Sequence, residues 1–453
     1  MSVISLKEKY HGKAEFILER SDCLFIMELE SGNKEYLLFS GSTNSVKLPS
    51  GIKSFKALGN KDMISDVVKK FSIKQVAERL IETDSRTQIL FDNHMDRLSF
   101  KAIENTDLET ESSKVSSVLI IDDSAVIRKL LTRIVNKSQS LEVCFAASGP
   151  EEAIQYLKSN KPDIITLDIH MPEMDGVTLF KTNLKQLNIP TVVISSMSIQ
   201  EGPMVMEALS SGVLAYIEKP DASNIKSVEE EIIKQLTILS KQKLSDKAQG
   251  VSNRLAVQDF KDNEGLIAIG SSTGGTKALE TLLTSLPKTI PPILIVQHIP
   301  AVFSKAFADR LDTCCSFTVK EIEDGEEIMA NTAYIAKGGK QFKVQKLSGK
   351  LVAELIDDAC PSYNFKPSVD YLFESIKEIK PKKLVAVILT GMGKDGSKSL
   401  LELRNMGAHT IGQNAESCVV YGMPRVAFEI GACMEMIHLN DMASSLVKAY
   451  NKA

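Results

Sequence analysis

An apolar run that stops at a glycine-bracketed serine, LIAIGSSTGG from Leu266 to Gly275, constrains this chain more than any other stretch. Leu266 to Ile269 read as a buried strand, and Gly270 to Gly274 as a tight turn into a helix starting near Gly275. The spacing G-x-S-x-G places Ser272 on that turn with its hydroxyl exposed, where a nucleophile would stand. A phosphate-cradling turn is the rival reading. It fits poorly, because G-x-G-x-x-G needs glycine where Ser272 stands, and a P-loop needs Gly-Lys-Ser/Thr where this chain has Gly275-Thr276-Lys277.

A serine hydroxyl needs a base, and the chain has six histidines. His11 and His94 lie far upstream, and His170 belongs to a different cluster. His298 follows the apolar run Ile293 to Val296 and so sits at the carboxyl end of the next strand, the edge at which open parallel sheets bind ligands. His409 and His438, at the ends of short strands, read as core or solvated residues. A third strand, Leu384 to Leu389, empties into Thr390-Gly391-Met392-Gly393-Lys394-Asp395-Gly396. This glycine-rich loop can hold the Asp395 carboxylate against a histidine, or Asp395 can simply cap the helix after Gly396.

The strings LIAIGSSTGGT, QHIP, the helix from Lys366 to Phe373, ILTGMGKDG and GQNAESCVVYGMPR resemble, in order, the catalytic domain of the chemotaxis protein-glutamate methylesterases, the CheB family. The resemblance implies a parallel-sheet, Rossmann-like α/β domain with Ser272 as nucleophile, His298 as general base and then acid, and Asp395 as the orienting carboxylate. It implies hydrolysis of γ-glutamyl methyl esters on methyl-accepting chemotaxis receptors, with deamidation of receptor glutamines as a further activity open to the same triad. No cofactor is expected for the esterase step. The oxyanion would be met by the amide of Thr273 together with that of Gly391 or Met392. Two positions depart from the family pattern: Phe365-Lys366 stand in place of His-Arg, and Lys337 in place of proline.

Upstream, Val118 to Ile121 ends in Asp122-Asp123-Ser124, and Ile164 to Leu167 ends at Asp168. Three carboxylates at the ends of two parallel strands call for a hard cation, with Mg2+ and a phosphate as the usual solution. Thr191 to Ile194 ends at Ser195, and Leu214 to Ile217 leads to Lys219, adding a hydroxyl and an ammonium. This arrangement resembles the flavodoxin-like receiver domain of response regulators. The resemblance makes Asp168 the phosphoacceptor, Asp122 and Asp123 the Mg2+ acids, Ser195 the switch hydroxyl, Lys219 the phosphate ligand and Tyr216 the aromatic rotamer switch. A histidine kinase would be the phosphodonor. Phosphorylation adds about two negative charges, and the unphosphorylated receiver is expected to cover the Ser272 cleft.

The chain of 453 residues has room for about three domains. A net charge of -4 gives no reason to expect nucleic-acid binding, and no run approaches the roughly 18 apolar residues of a membrane span. The start lacks the apolar core of a signal peptide, so the expected location is cytoplasmic. Seven cysteines without C-x-x-C argue against a disulfide framework or zinc. The expected organisation is a small α+β domain over 1–110, a receiver over 115–239, a linker over 240–263 and a catalytic domain over 264–453. The acidic stretch Glu104 to Lys114 reads as another linker.

In the first domain, Lys13 to Leu18, Leu24 to Leu29, Tyr36 to Phe39, Ile89 to Phe91 and Leu98 to Ile103 read as strands, with Ser31-Gly32-Asn33 as a hairpin turn. Ile64, Val67, Val68 and Phe71, then Val76, Leu80 and Ile81, suggest one or two amphipathic helices. Docking or targeting is the expected role. Two other functions compete with the enzyme: a phospho-responsive scaffold with an inactive esterase-like domain, and a nucleotide-binding α/β domain.

Overall fold

The computed structural model describes eight strands within residues 2–102, and residues 115–196, 198–220, 225–242, 257–357 and 363–452. The chain forms two compact units, Met1–Lys114 and Val115–Ala453. No described helix is long and apolar enough to cross a membrane.

The first unit contains strands β1 (Ser2–Ser5), β2 (Lys13–Leu18), β3 (Asp22–Leu29), β4 (Lys34–Ser40), β5 (Ile52–Gly59), β6 (Ala77–Glu82), β7 (Thr87–Asp92) and β8 (Arg97–Ala102). They form two sheets, in the orders β1-β4-β3-β5-β6 and β2-β7-β8. One expectation is corrected: Leu80 and Ile81 lie on β6, which pairs in parallel with β5, and not on an amphipathic helix. Three apolar residues are too few to fix a period, and the ladder offered by β5 decides. The remainder of the expected helices, from Ile64 to Val76, the turn at Ser31 to Asn33 and the linker from Glu104 to Lys114 lie outside the described residues, as do 243–256 of the second linker.

The second unit opens with five parallel strands, β9 (Ser116–Ile121), β10 (Leu141–Ala147), β11 (Ile164–Leu167), β12 (Thr191–Ser195) and β13 (Ala215–Glu218), ordered β10-β9-β11-β12-β13. This is the flavodoxin-like order. Helices α1 (Ala125–Val135), α2 (Pro150–Leu157), α3 (Gly176–Leu179), α4 (Gly202–Ser211) and α5 (Ile225–Leu239) connect and follow them. Ser124 caps α1 and Asp175 caps α3, each accepting an amide hydrogen bond of the first turn. Gly176 is required by packing, since a β-carbon there would lie 2.0 Å from the Asp168 carbonyl oxygen.

A seven-stranded parallel sheet follows, built from β14 (Leu266–Ser271), β15 (Ile293–Gln297), β16 (Thr318–Glu321), β17 (Thr332–Ile335), β20 (Leu384–Ile388), β21 (His409–Gln413) and β22 (Glu435–Ile437), in the order β16-β17-β15-β14-β20-β21-β22. The antiparallel pair β18 (Gln341–Leu347) and β19 (Lys350–Ile356) stands apart from it. Its helices are α6 (Gly275–Leu283), α7 (Ala301–Cys314), α8 (Val369–Ile379), α9 (Ser397–Asn405), α10 (Met423–Glu429) and α11 (Leu439–Lys452). Strand order reverses between β14 and β20, so the carboxyl ends of β15, β14 and β20 share one crevice. The domain begins earlier than residue 264: Phe260 is buried with its ring edge-on to Tyr450, and Asp262 pairs with Lys383 at 2.6 Å.

The two sheets are joined by packed helices. Gly202 at the start of α4 meets α7 so closely that a β-carbon there would lie 3.4 Å from Phe303 and Ala306. Tyr216 packs edge-on against Phe303 with centroids 4.8 Å apart, and Arg310 of α7 donates to the Ser210 hydroxyl of α4.

The buried Tyr450 hydroxyl accepts the Gly265 amide at 2.6 Å and donates to Asp262 at 3.1 Å, fixing the approach to β14. Tyr450→Phe leaves that amide without its partner. The expected cost is about 1–3 kcal/mol, read as a lower midpoint in urea unfolding.

Candidate active site

The turn after β14 explains its glycines. A side chain at Gly270 would collide with Val369 and one at Gly275 with the Gln297 amide, while Gly274 takes the left-handed conformation (φ +77°) that caps α6. The two serines part ways. Ser271 is fully buried and donates to Gln297 Oε1 at 2.7 Å, whereas Ser272 is partly exposed, its amide donating to the Thr390 carbonyl at 3.0 Å. Gly391 lets the third loop come this close, since a β-carbon there would sit 2.6 Å from Ser272 Cβ.

Parallel register sets Ser271 opposite Gln297, which brings His298 beside Ser272 at the same sheet edge. His298 Nε2 lies 2.7 Å from Asp395 Oδ2. Asp395 is also bonded to the start of α8: Oδ1 accepts the Ser368 hydroxyl (2.8 Å) and the Asp370 amide (3.1 Å), and Oδ2 accepts the Val369 amide (2.7 Å). Asp395 therefore satisfies the amino terminus of α8, and not the helix that follows it in sequence, which begins from Gly396. Burial by itself would raise this carboxyl, but the His298 bond and the two amides hold it below the ordinary aspartate range. Asp370 goes the other way, raised by burial and by Asp395 against the bonds it accepts from Ser399. With Nε2 committed to Asp395, His298 Nδ1 is buried with no hydrogen-bond partner among the described residues. It is the ring nitrogen left to take a serine proton.

One candidate oxyanion donor is removed. The Gly391 amide donates to the Val420 carbonyl at 3.0 Å in a bridge with Tyr421, so it is already engaged. The Thr273 and Met392 amides donate to no described backbone acceptor. Three buried glutamines hold the loops, and nothing in their sequence spacing announced them. Gln297 Nε2 donates to the carbonyls of Ser272 and His298, both at 2.9 Å. Gln341 accepts the Ser368 amide at 2.8 Å and donates to the Phe365 carbonyl at 2.6 Å. Gln413 accepts the Thr390 amide at 2.8 Å and donates to the Ser417 carbonyl at 2.7 Å. Phe365 stacks flat on His298, with centroids 4.1 Å apart and an interplanar angle of 13°.

The upstream carboxylates stand together at their strand ends. Ligand oxygens of Asp122, Asp123 and Asp168 lie within 4.8 Å of one another, and Lys219 reaches Asp122 at 2.9 Å and Asp168 at 2.8 Å. Burial raises Asp168 against the pull of Lys219, while the two carboxylates raise Lys219 despite its burial. Three carboxylates against one ammonium leave an excess of negative charge that fits a hard divalent cation. The Ser195 hydroxyl donates to Glu201 Oε2 at 2.7 Å, and Glu201 is a buried carboxylate that sequence reading missed. The Tyr216 hydroxyl donates to the Ser195 carbonyl at 3.1 Å.

The same region covers the rim of the serine crevice. Gln235 of α5 approaches the Thr273 hydroxyl at 3.4 Å, and Met392, Val419 and Val420 pack into one apolar cluster with α5 residues Val228, Ile232 and Leu236.

Residues 267–446 match the CheB methylesterase family and residues 118–228 the response regulator receiver domain. The chain is 42% identical over 344 residues to protein-glutamate methylesterase/protein-glutamine glutaminase 2 of Vibrio vulnificus, spanning 74% of this chain and 98% of the relative. It is 36% identical over 335 residues to protein-glutamate methylesterase/protein-glutamine glutaminase of Pectobacterium atrosepticum, spanning 73% and 95%. Among solved structures it is similar to the CheB methylesterase catalytic domain of Thermotoga maritima, at 37% identity and a TM-score of 0.40, covering 41% of this chain and 99% of that one.

The depressed Asp395 predicts an acid-dependent stability. Its folded-state pKa lies below the unfolded value of about 3.9, so its contribution is complete above that pH and is lost as pH falls through the folded value. Unfolding free energies of wild type and Asp395→Asn, measured from neutral pH downward, should therefore converge below about pH 4. A constant difference would contradict the assignment.

Proposed function

This chain belongs to the CheB methylesterase family, and we propose that it is a phosphorylation-controlled esterase that hydrolyses γ-glutamyl methyl esters on chemoreceptors. The observation that carries the reading is the Asp395 carboxylate, which accepts the first amides of α8 and His298 Nε2, beside a partly exposed strand-tip serine. Ser272 Oγ attacks the ester carbonyl while its proton passes to His298 Nδ1. Asp395 stabilises the imidazolium through Nε2. The tetrahedral oxyanion is met by the Thr273 amide at the positive end of α6 and by the Met392 amide. Collapse expels methoxide, which takes the proton from His298 and leaves as methanol. Water then attacks the acyl-enzyme by the same route, and glutamate is released. A glutamine side chain would follow the same steps with ammonia as the leaving group.

Control is proposed to come from Asp168. A Mg2+ held by Asp122, Asp123 and Asp168 would supply positive charge to phosphoryl oxygens, and Lys219 and Ser195 are the further ligands within the pocket. A histidine kinase is the proposed phosphodonor. The contacts of α5 with Thr273, Met392 and Val420 support a receiver that restricts the crevice until phosphorylation repacks its face. A scaffold with an inactive domain is the alternative, and activity separates the two.

Methanol release from methylated receptor should fall to background in Ser272→Ala. Beryllofluoride with Mg2+ should raise release several-fold in wild type, while Asp168→Ala should keep the basal rate and lose the response. Equal release by Ser272→Ala would remove the nucleophile, and equal rates with and without beryllofluoride would remove the control.

A further inference from the structure

We propose that Phe365 is a positioning residue for His298, an inference that rests on the esterase reading above. One hydrogen bond, from Nε2 to Asp395, holds the imidazole edge, and Nδ1 has no described partner. With Cβ and that one hydrogen bond as its anchors, the ring can still turn about the line between them. The stacked face of Phe365 supplies the missing constraint, keeping the ring plane in which Nδ1 stays available to Ser272. The stack is itself anchored. Gln341 takes the Phe365 carbonyl, the Gly339 amide donates to the Lys366 carbonyl at 3.0 Å, and Ser368 in the same short segment bonds both Gln341 and Asp395. The support for the ring plane and the support for the ring edge thus come from one stretch, Phe365 to Ser368. Phe365 is 40% exposed, so it can be altered without opening the core.

In the full chain, Phe365→Ala should lower kcat for methanol release by about threefold to tenfold with KM within about twofold, since the stack orients a base and need not bind substrate. Phe365→Tyr should restore the rate. Phe365→Leu, which keeps apolar bulk without a flat face, should stay low, and it carries the test if the alanine variant is poorly folded. The His298 ring protons should lose their aromatic ring-current shift in Phe365→Ala and Phe365→Leu and keep it in Phe365→Tyr. An unchanged kcat in Phe365→Leu, or an unchanged His298 spectrum, overturns the proposal. Wild type without methanol release would instead overturn the esterase reading.

From a separate observation we infer that Glu201 is a latch on the receiver's Ser195. Glu201 is only 6% exposed, and it accepts the hydroxyls of both Ser195 and Ser196, with His170 Nε2 3.5 Å away. A serine hydroxyl has one proton to donate. While Glu201 holds it, Ser195 cannot give it to a phosphoryl oxygen on Asp168, and releasing it leaves a buried carboxylate one donor short. Glu201 immediately precedes Gly202, which packs on Phe303 and Ala306 of the catalytic domain, so the latch sits where α4 meets α7.

The probe is beryllofluoride with Mg2+, titrated calorimetrically into the full chain. Glu201→Ala should bind about tenfold more tightly than wild type, because the competing acceptor is gone, and Glu201→Gln should lie between them. Ser195→Ala should bind less tightly than Glu201→Ala. Equal or weaker binding by both Glu201 variants overturns the latch. Binding that survives Asp168→Ala overturns the receiver reading, and the latch with it.

Discussion

A buried carboxylate at the mouth of a helix organises this structure. Asp395 cannot stand in an apolar crevice without donors, and it finds four: two amides and the cap hydroxyl of α8, and one imidazole nitrogen. Meeting those donors brings the start of α8 over the end of β14. Val369, the first residue of α8, consequently presses on Gly270 and Gly396 together, positions at which no side chain fits. Gly270, the first glycine of the serine turn, is thus the packing consequence of bringing a helix end to that carboxylate. The same donors that stabilise the charge also immobilise it, which is what an orienting group needs.

Much of this was legible because parallel strands leave a simple trace. Runs such as Leu266 to Ile269 and Val118 to Ile121 are buried on both faces, so they appear as uninterrupted apolar segments, and whatever follows each run stands at the sheet edge. Ser272, His298, Asp395, Asp122, Asp168, Ser195 and Lys219 all follow such runs. The residues that escaped notice act across the chain. Gln341 is separated by more than twenty residues from the groups it joins, Phe365 meets His298 through tertiary packing, and Glu201 reads in sequence as an ordinary surface glutamate, although it ends a 3₁₀ turn. The engaged Gly391 amide was equally invisible, because its acceptor, Val420, lies on a different loop. In the first unit, β6 carries too few apolar residues to declare its period, and only its partner strand reveals it.

The receiver and the esterase domain are joined by two contacts of different kinds. Helix α4 meets α7 through small and aromatic residues in van der Waals contact, Gly202 against Phe303 and Ala306. Helix α5 covers the crevice rim through Gln235 and an apolar strip, with one long polar contact to Thr273. Tyr216 belongs to both worlds, its hydroxyl on the backbone of Ser195 and its ring on Phe303. The first contact links the Asp168 carboxylate cluster to the interface, and the second sits at the rim of the crevice that holds Ser272.

The three glutamines are uncharged mounts for the loops of this site. Each amide group offers a donor and an acceptor without charge, and Gln297 spends its donor on the carbonyls of Ser272 and His298. Spontaneous hydrolysis of that side chain to glutamate would exchange the donor for a second acceptor, placing a negative oxygen against two carbonyl oxygens. Ser272 and His298 would themselves be unchanged, yet the mount beneath both would turn repulsive. Burial of Gln297, at 3% exposure, keeps water from competing for the donor that holds those two carbonyls, so the mount stays fixed.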